Sequence, residues 1–159
     1  MRTTQGRYAW LTRCDRGGLA SACAFTAKLS DMGGPTTWLA VAVGGALGSL
    51  ARFWLAAVMV ALTGPRFPWG TLLINILGSF VIGLVAALTL VPERIGMHPD
   101  VRIFLMVGVC GGFTTFSAFS LQTLELLQAG AFWPAAGYIA GSVAFCIAAV
   151  WGGWLLGRA

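Results

Sequence analysis

Residues Arg102 to Glu125 read RIFLMVGVCGGFTTFSAFSLQTLE, a run of 22 uncharged residues between an arginine and a glutamate. A helix of about 20 apolar residues, rising 1.5 Å at each, crosses the ~30 Å hydrocarbon core of a bilayer. The run therefore predicts a transmembrane helix. Its centre, CGGFTTFSAFS from Cys110 to Ser120, is unusual for one. Glycines, threonines and serines are poor helix formers, and their hydroxyls compete for local backbone bonds. The reading is a break in this helix, centred on Gly111 and Gly112, with irregular backbone of the kind that survives at membrane depth only inside protein or beside a wet cavity.

Outward from this segment the charges stay sparse. Between Arg66 and Glu93 lie 26 uncharged residues, between Glu125 and Arg158 lie 32, and Thr36 to Pro65 carries only Arg52. The spacing predicts four transmembrane helices near 38–62, 70–91, 102–127 and 134–157, an all-α membrane protein. Turn formers stand between them: Gly64, Pro65 and Pro68, then Pro92, Gly96 and Pro99, then Gly130 and Pro134. The composition agrees, with 58% hydrophobic and 9% charged residues in a chain of 159 and a mean hydropathy of +0.83, against ~25% charged in an ordinary soluble domain.

Residues 1–35 hold seven of the fifteen charges: Arg2, Arg7, Arg13, Arg16, Lys28, Asp15 and Asp31. Arg13, Asp15 and Arg16 interrupt any apolar run, which argues against a cleaved signal peptide. The segment reads as a disordered tail or an over-extended start, with Met32 as an alternative initiator, and residues 36–159 as the four-helix domain. The net charge of +5 points to no nucleic acid, because no Lys and Arg cluster interleaved with aromatics is present. Cys14, Cys23, Cys110 and Cys146 form no metal-binding spacing, and no catalytic set is visible. An enzyme is not expected.

The informative residues are the polar ones inside the spans. Arg52 costs ~2.5 to 3.5 kcal/mol at bilayer depth; it either follows the Gly44 and Gly48 stripe into a helix contact or snorkels to the headgroups. Asn75, one turn before Ser79, either bonds a neighbouring helix or offers its NH2 to an anion. Phe116 and Phe119 share a helical face, as core or as positive ring edges toward an anion. Tyr138, Ser142 and Cys146 recur at i, i+4 and i+8, a polar stripe. Glu125, near a helix end, is the sole carboxylate in the four spans. Amide, hydroxyl and aromatic-edge groups suit a halide-sized anion.

These segments resemble the CrcB or Fluc family of fluoride channels. The matching pieces are GxxGxxxR at Gly45, Gly48 and Arg52, PWGTLLINILGSF from Pro68 to Phe80, GGFTTFSAFS from Gly111 to Ser120, and the Y-x-x-x-S-x-x-x-C stripe from Tyr138. The resemblance covers about residues 38–157. It implies a four-helix subunit in the bacterial inner membrane, assembled as an antiparallel, dual-topology homodimer that passes fluoride out of the cytoplasm and relieves its toxicity. It also implies a fluoride pathway at Asn75, Phe116, Ser117, Phe119, Tyr138, Ser142 and Arg52, and a structural sodium ion on the backbone carbonyls of Gly111 and Thr114. The chain departs from the family pattern at Ala118, at Gln122 in place of a glutamate and at Cys146 in place of a serine.

Charge placement suits dual topology. Outside the tail, the side bearing the termini carries Arg94, Arg102 and Arg158, and the other side Arg66 and, depending on its depth, Arg52, a bias too weak to choose an orientation. Two other readings stand. A small multidrug-type proton-coupled exporter needs a carboxylate in mid-membrane, and a non-transporting scaffold needs only the packing glycines.

Overall fold

The computed structural model describes residues 34–90 and 97–159. The chain divides into Met1–Pro35 and Thr36–Ala159; the tail reading and the turn formers Pro92 and Gly96 lie outside the described residues, and the fold below is that of the second unit.

The described residues are helical, with no strand among them. Helix α1 spans Pro35–Thr63 and α2 spans Trp69–Leu90. Helix α3 (Pro99–Ile103) runs into a π-helical stretch, Phe104–Cys110, then the single turn α4 (Gly111–Phe113) and, after two residues, α5 (Phe116–Gln128). Helix α6 is Phe132–Arg158. Four segments are long and apolar enough to cross a membrane: Pro35–Thr63, Trp69–Thr89, Pro99–Gln128 and Phe132–Arg158. The protein is a multi-pass membrane protein, and each span lies within about three residues of the limits read from the charge spacing.

The helix ends follow from local chemistry. Pro35 and Pro99 open helices, where a missing N–H leaves nothing unsatisfied. His98 Nδ1 accepts from the Asp100 N–H at 3.3 Å at the start of α3. Gly64 (φ 77°) and Gly130 (φ 73°) terminate α1 and α5 in the left-handed conformation that only glycine adopts without strain.

The core is small and lies mostly between α2 and α6. Leu72, Ile74, Val85 and Ala87 of α2 are buried with Ala135 and Tyr138 of α6. Glycines let the two helices touch backbone to backbone: a Cβ on Gly83 would strike the Val150 carbonyl, and one on Gly153 the Phe80 carbonyl. Close approach through small residues is the means of helix association where lipid removes the hydrophobic drive. Helix α1 meets the third span the same way, a Cβ on Gly44 falling 2.9 Å from the Gly108 Cα and one on Gly48 2.8 Å from the Phe113 nitrogen. The outward faces of α1 and α6 carry exposed Leu50, Phe53, Trp54, Phe145, Ile147 and Trp151. In hydrocarbon that surface needs no covering.

In the third span the glycines stay helical. Gly111 has φ −64° and ψ −38°. The residues with extended backbone are Thr114 (φ −80°, ψ 155°) and Thr115 (φ −152°, ψ 114°). The difference from the sequence reading has a packing cause. Gly108 and Gly112 are consumed by close contact with α1, whereas β-branched threonine fits extended backbone.

Candidate functional site

Thr114 and Thr115 are held open by a side chain from α2. The Thr115 N–H donates to Asn75 Oδ1 at 2.9 Å, and Asn75 Nδ2 donates to the Thr115 carbonyl at 3.2 Å. One carboxamide thus satisfies both peptide groups of an extended residue, as a neighbouring strand would. The second N–H of Asn75 remains for another acceptor. Thr115 then caps the helix it precedes: its Oγ1 accepts from the Ala118 N–H at 3.2 Å.

These two bonds redirect donors that an unbroken helix would have used. Thr115 N–H would otherwise bond the Gly111 carbonyl, and Ala118 N–H the Thr114 carbonyl, four residues back in each case. Both carbonyls lose that partner. Gly111 is exposed on the surface of the chain and Thr114 half-buried.

A cavity of about 410 Å³ opens beside this segment. It gathers Asn75 and Ser79 of α2, Gly111, Thr114, Phe116 and Phe119 of the third span, and Ser142 and Cys146 of α6. The rings of Phe116 and Phe119 lie 5.3 Å apart, tilted by 40°. Ser142 Oγ is buried with no hydrogen-bond partner, an uncommon state for a hydroxyl. Met106 and Cys110 complete much of the remaining wall.

Tyr138, Arg52 and Ser117 do not line this cavity. Tyr138 stands behind Phe119, with ring centroids 5.1 Å apart, and its hydroxyl donates to Gln122 Oε1 at 3.0 Å. Phe67 meets the Tyr138 ring edge-on at 5.5 Å. Arg52 is anchored to the third span, where its Nε donates to the Gly112 carbonyl at 3.1 Å and Ser49 Oγ joins at 3.4 Å. Of its two sequence readings the helix contact matches this geometry. Ser117 is exposed, with its Oγ 3.2 Å from Thr115 Oγ1.

Sequence reasoning treated Gln122 only as a departure, yet it positions Tyr138 and lines a second cavity of about 340 Å³ with Thr63, Arg66, Thr71 and Glu125. It also passed over Thr115. A threonine immediately before an apolar helical run is a legible N-cap signal; its bond to Asn75, forty positions away, is not.

Comparison with known proteins places this geometry. A family model described as "CrcB-like protein, Camphor Resistance (CrcB)" matches residues 39–154. A fluoride-specific ion channel FluC of Rhodospirillum rubrum is 55% identical over 116 residues, 72% of this chain and 89% of the relative. Proteins of the same name from Methylocella silvestris and Paramagnetospirillum magneticum are 51% and 53% identical, each over 72% of this chain and 87% and 90% of their own length. The matched region takes in most of all four spans and every residue of the cavity, and on that ground the chain belongs to the CrcB family.

Proposed function

We propose that the protein is a fluoride channel that lets the ion leave the cytoplasm down its gradient. The observation that carries this reading is the cavity itself. It joins Asn75, Phe116, Phe119 and Ser142 without a carboxylate in its wall, in a chain about half identical to proteins named for fluoride conduction.

The chemistry of fluoride demands such a wall. An isolated ion moved from water into a medium of low dielectric constant loses tens of kcal/mol of solvation, so a path across the membrane must replace hydration with donors along the way. Asn75 retains one N–H, Ser142 has an unpartnered hydroxyl, and the phenylalanine ring edges present positive potential. Tyr138 extends this series beyond Phe119 toward the second cavity, through its bond to Gln122. Arg52 serves the path by fixing the Gly112 peptide, and Ser117 lies beside it on the exposed face of α5. The exporter reading is disfavoured because Glu125 lies on the second cavity.

The working unit in this proposal is an antiparallel homodimer. Phe116 is 78% exposed in the single chain and encloses a path only when another surface covers it. The weak charge bias permits both orientations. The carbonyls of Gly111 and Thr114, relieved of their helical donors, fit a hard monovalent cation, and a sodium ion there would supply positive charge binding two subunits through backbone oxygen.

Fluoride efflux from liposomes containing only this protein tests the reading: rapid fluoride release with chloride retained is expected. Proton-driven drug uptake or no flux at all would replace the channel by the exporter or the scaffold. A C-terminal tag accessible from only one side of the membrane in an active, tail-free protein would refute the antiparallel dimer.

A further inference from the structure

The second cavity, of about 340 Å³, carries charge where the first carries none: Arg66, from the connection between α1 and α2, and Glu125 of α5 stand in its wall with Thr63, Thr71 and Gln122. Two contacts tie that wall to Tyr138. Phe67, the residue after Arg66, meets the Tyr138 ring edge-on at 5.5 Å, and Gln122, one turn before Glu125 on the same face of α5, accepts from the Tyr138 hydroxyl at 3.0 Å. Beyond Tyr138 stands Phe119 of the larger cavity, with ring centroids 5.1 Å apart. Arg66 and Glu125 are exposed, and neither forms an ion pair among the described residues. The connections at this end, residues 64–68 and 129–131, hold no other charge, and Asp100, Arg102 and Arg158 lie at the opposite ends of their spans. One cation and one anion therefore dominate the potential over this cavity.

We propose that the second cavity is an outer mouth of the fluoride path, in which Arg66 draws the anion in from water and Glu125 opposes it, so that these two side chains set the rate of entry. Electrostatic capture asks for no coordination geometry. A cavity of this volume is about 9 Å across if round, close to the ~8 Å Debye length at physiological ionic strength, so an anion inside it feels both charges. Low-dielectric walls focus such a field and raise the local concentration of the ion it attracts. Gln122 then stands next on the way to Tyr138, accepting through Oε1 and keeping its NH2 group as a donor. Arg66 differs here from Arg52, whose Nε holds a carbonyl: capture needs the positive charge and not the planar fork, so lysine serves equally well at position 66.

This role rests on the fluoride-channel reading, and the test separates the two. Initial fluoride efflux is measured from liposomes of uncharged lipid holding the full chain, at low fluoride and low ionic strength, where entry limits the rate, and again at high fluoride and at high salt. Thermal melting of each purified variant reports its folding. Arg66→Gln should slow efflux about threefold and Glu125→Gln should speed it by about the same factor, the scale expected of a unit charge about 8 Å from the ion. Arg66→Lys should keep the parent rate. All differences should fade at high fluoride and in about 1 M salt, where the Debye length is about 3 Å. Opposite signs, rescue by lysine and sensitivity to salt are not expected of a residue that only holds the fold. Equal rates in the parent, Arg66→Gln and Glu125→Gln would overturn the capture role and leave the channel standing, and so would changes in the same direction. A loss in Arg66→Gln that persists at high fluoride and high salt would assign Arg66 to a lipid or packing contact instead. A parent protein that releases no fluoride would overturn the channel reading and this role with it.

Discussion

Replacing Asn75 by aspartate changes a single atom type and separates the two tasks assigned to this side chain. The Thr115 N–H keeps an acceptor at the position of Oδ1, but the donor to the Thr115 carbonyl is lost and a carboxylate oxygen faces that carbonyl instead. A buried acceptor left unsatisfied costs ~1 to 3 kcal/mol of stability. The larger consequence is electrostatic. A carboxylate about 4 Å from a passing anion raises its energy by about 4 kcal/mol at an effective dielectric constant of 20, and 4 kcal/mol is about a thousandfold in rate. Fluoride efflux from liposomes, measured beside the thermal stability of Asn75→Asp and Asn75→Ala, divides the terms. Asn75→Ala should lose comparable stability with a smaller loss of flux, since it adds no charge. Because burial favours the neutral acid, acidification should restore part of the Asn75→Asp flux. A folded Asn75→Asp protein that conducts at neutral pH within about threefold of the parent, against the thousandfold expected, would refute the placement of Asn75 on the path.

Further consequences follow from the same contacts. Gly48→Ala sets a methyl group against the Val109 carbonyl and the Phe113 nitrogen and should cost about 1 to 3 kcal/mol by overpacking. Gly137→Ala, with nothing within 4 Å, should gain up to about 1 kcal/mol of helix propensity; melting of the two purified proteins in detergent would then move in opposite directions. Arg52→Lys should fail to replace Arg52, because the bond to Gly112 uses Nε of a planar guanidinium, and both Arg52→Lys and Arg52→Leu should lose about 1.5 to 3 kcal/mol in denaturant titrations. For Tyr138→Phe and Gln122→Leu, a double-mutant cycle should return a coupling of about 0.5 to 1.5 kcal/mol from their shared hydrogen bond; additive effects would show that the bond does not form.

How much of this was open to a reader of the sequence depends on the range of the interaction. The spans were legible because the hydrocarbon excludes charge, and the intervals from Arg66 to Glu93 or from Glu125 to Arg158 register that exclusion directly. The Cys110–Ser120 segment announced an irregularity by composition, but not its place. Gly111 and Gly112 have the weaker helix propensity, yet both stay helical, Gly112 in close contact with Gly45 of α1, and the extended residues are Thr114 and Thr115. Four residues assigned to the site, Asn75, Phe116, Phe119 and Ser142, do share one cavity. Arg52, Ser117 and Tyr138 stand apart from it, for reasons carried by partners sixteen to sixty positions distant or by exposure. No local pattern encodes the pairing of Tyr138 with Gln122.

The bonding at Thr114 and Thr115 also bears on the sign of the ions this fold accepts. Interrupting a helix releases donors and acceptors in equal number. Here two of the four released donors are captured at once, the Thr115 N–H by Asn75 Oδ1 and the Ala118 N–H by Thr115 Oγ1, and of the released acceptors the Gly112 carbonyl is taken by Arg52 Nε. The carbonyls of Gly111 and Thr114 are left without their helical donors, and acceptors so placed suit a cation or the N–H groups of another chain. In the same cavity the Ser142 hydroxyl has no partner, and Asn75 has a second N–H beyond its bond to Thr115. In the proposed channel, acceptor and donor groups for ions of opposite sign would stand within one short segment, with no charged side chain in the cavity wall. An ionised group there would bind one ion strongly and hinder its release, whereas neutral donors at successive positions let an anion enter and leave.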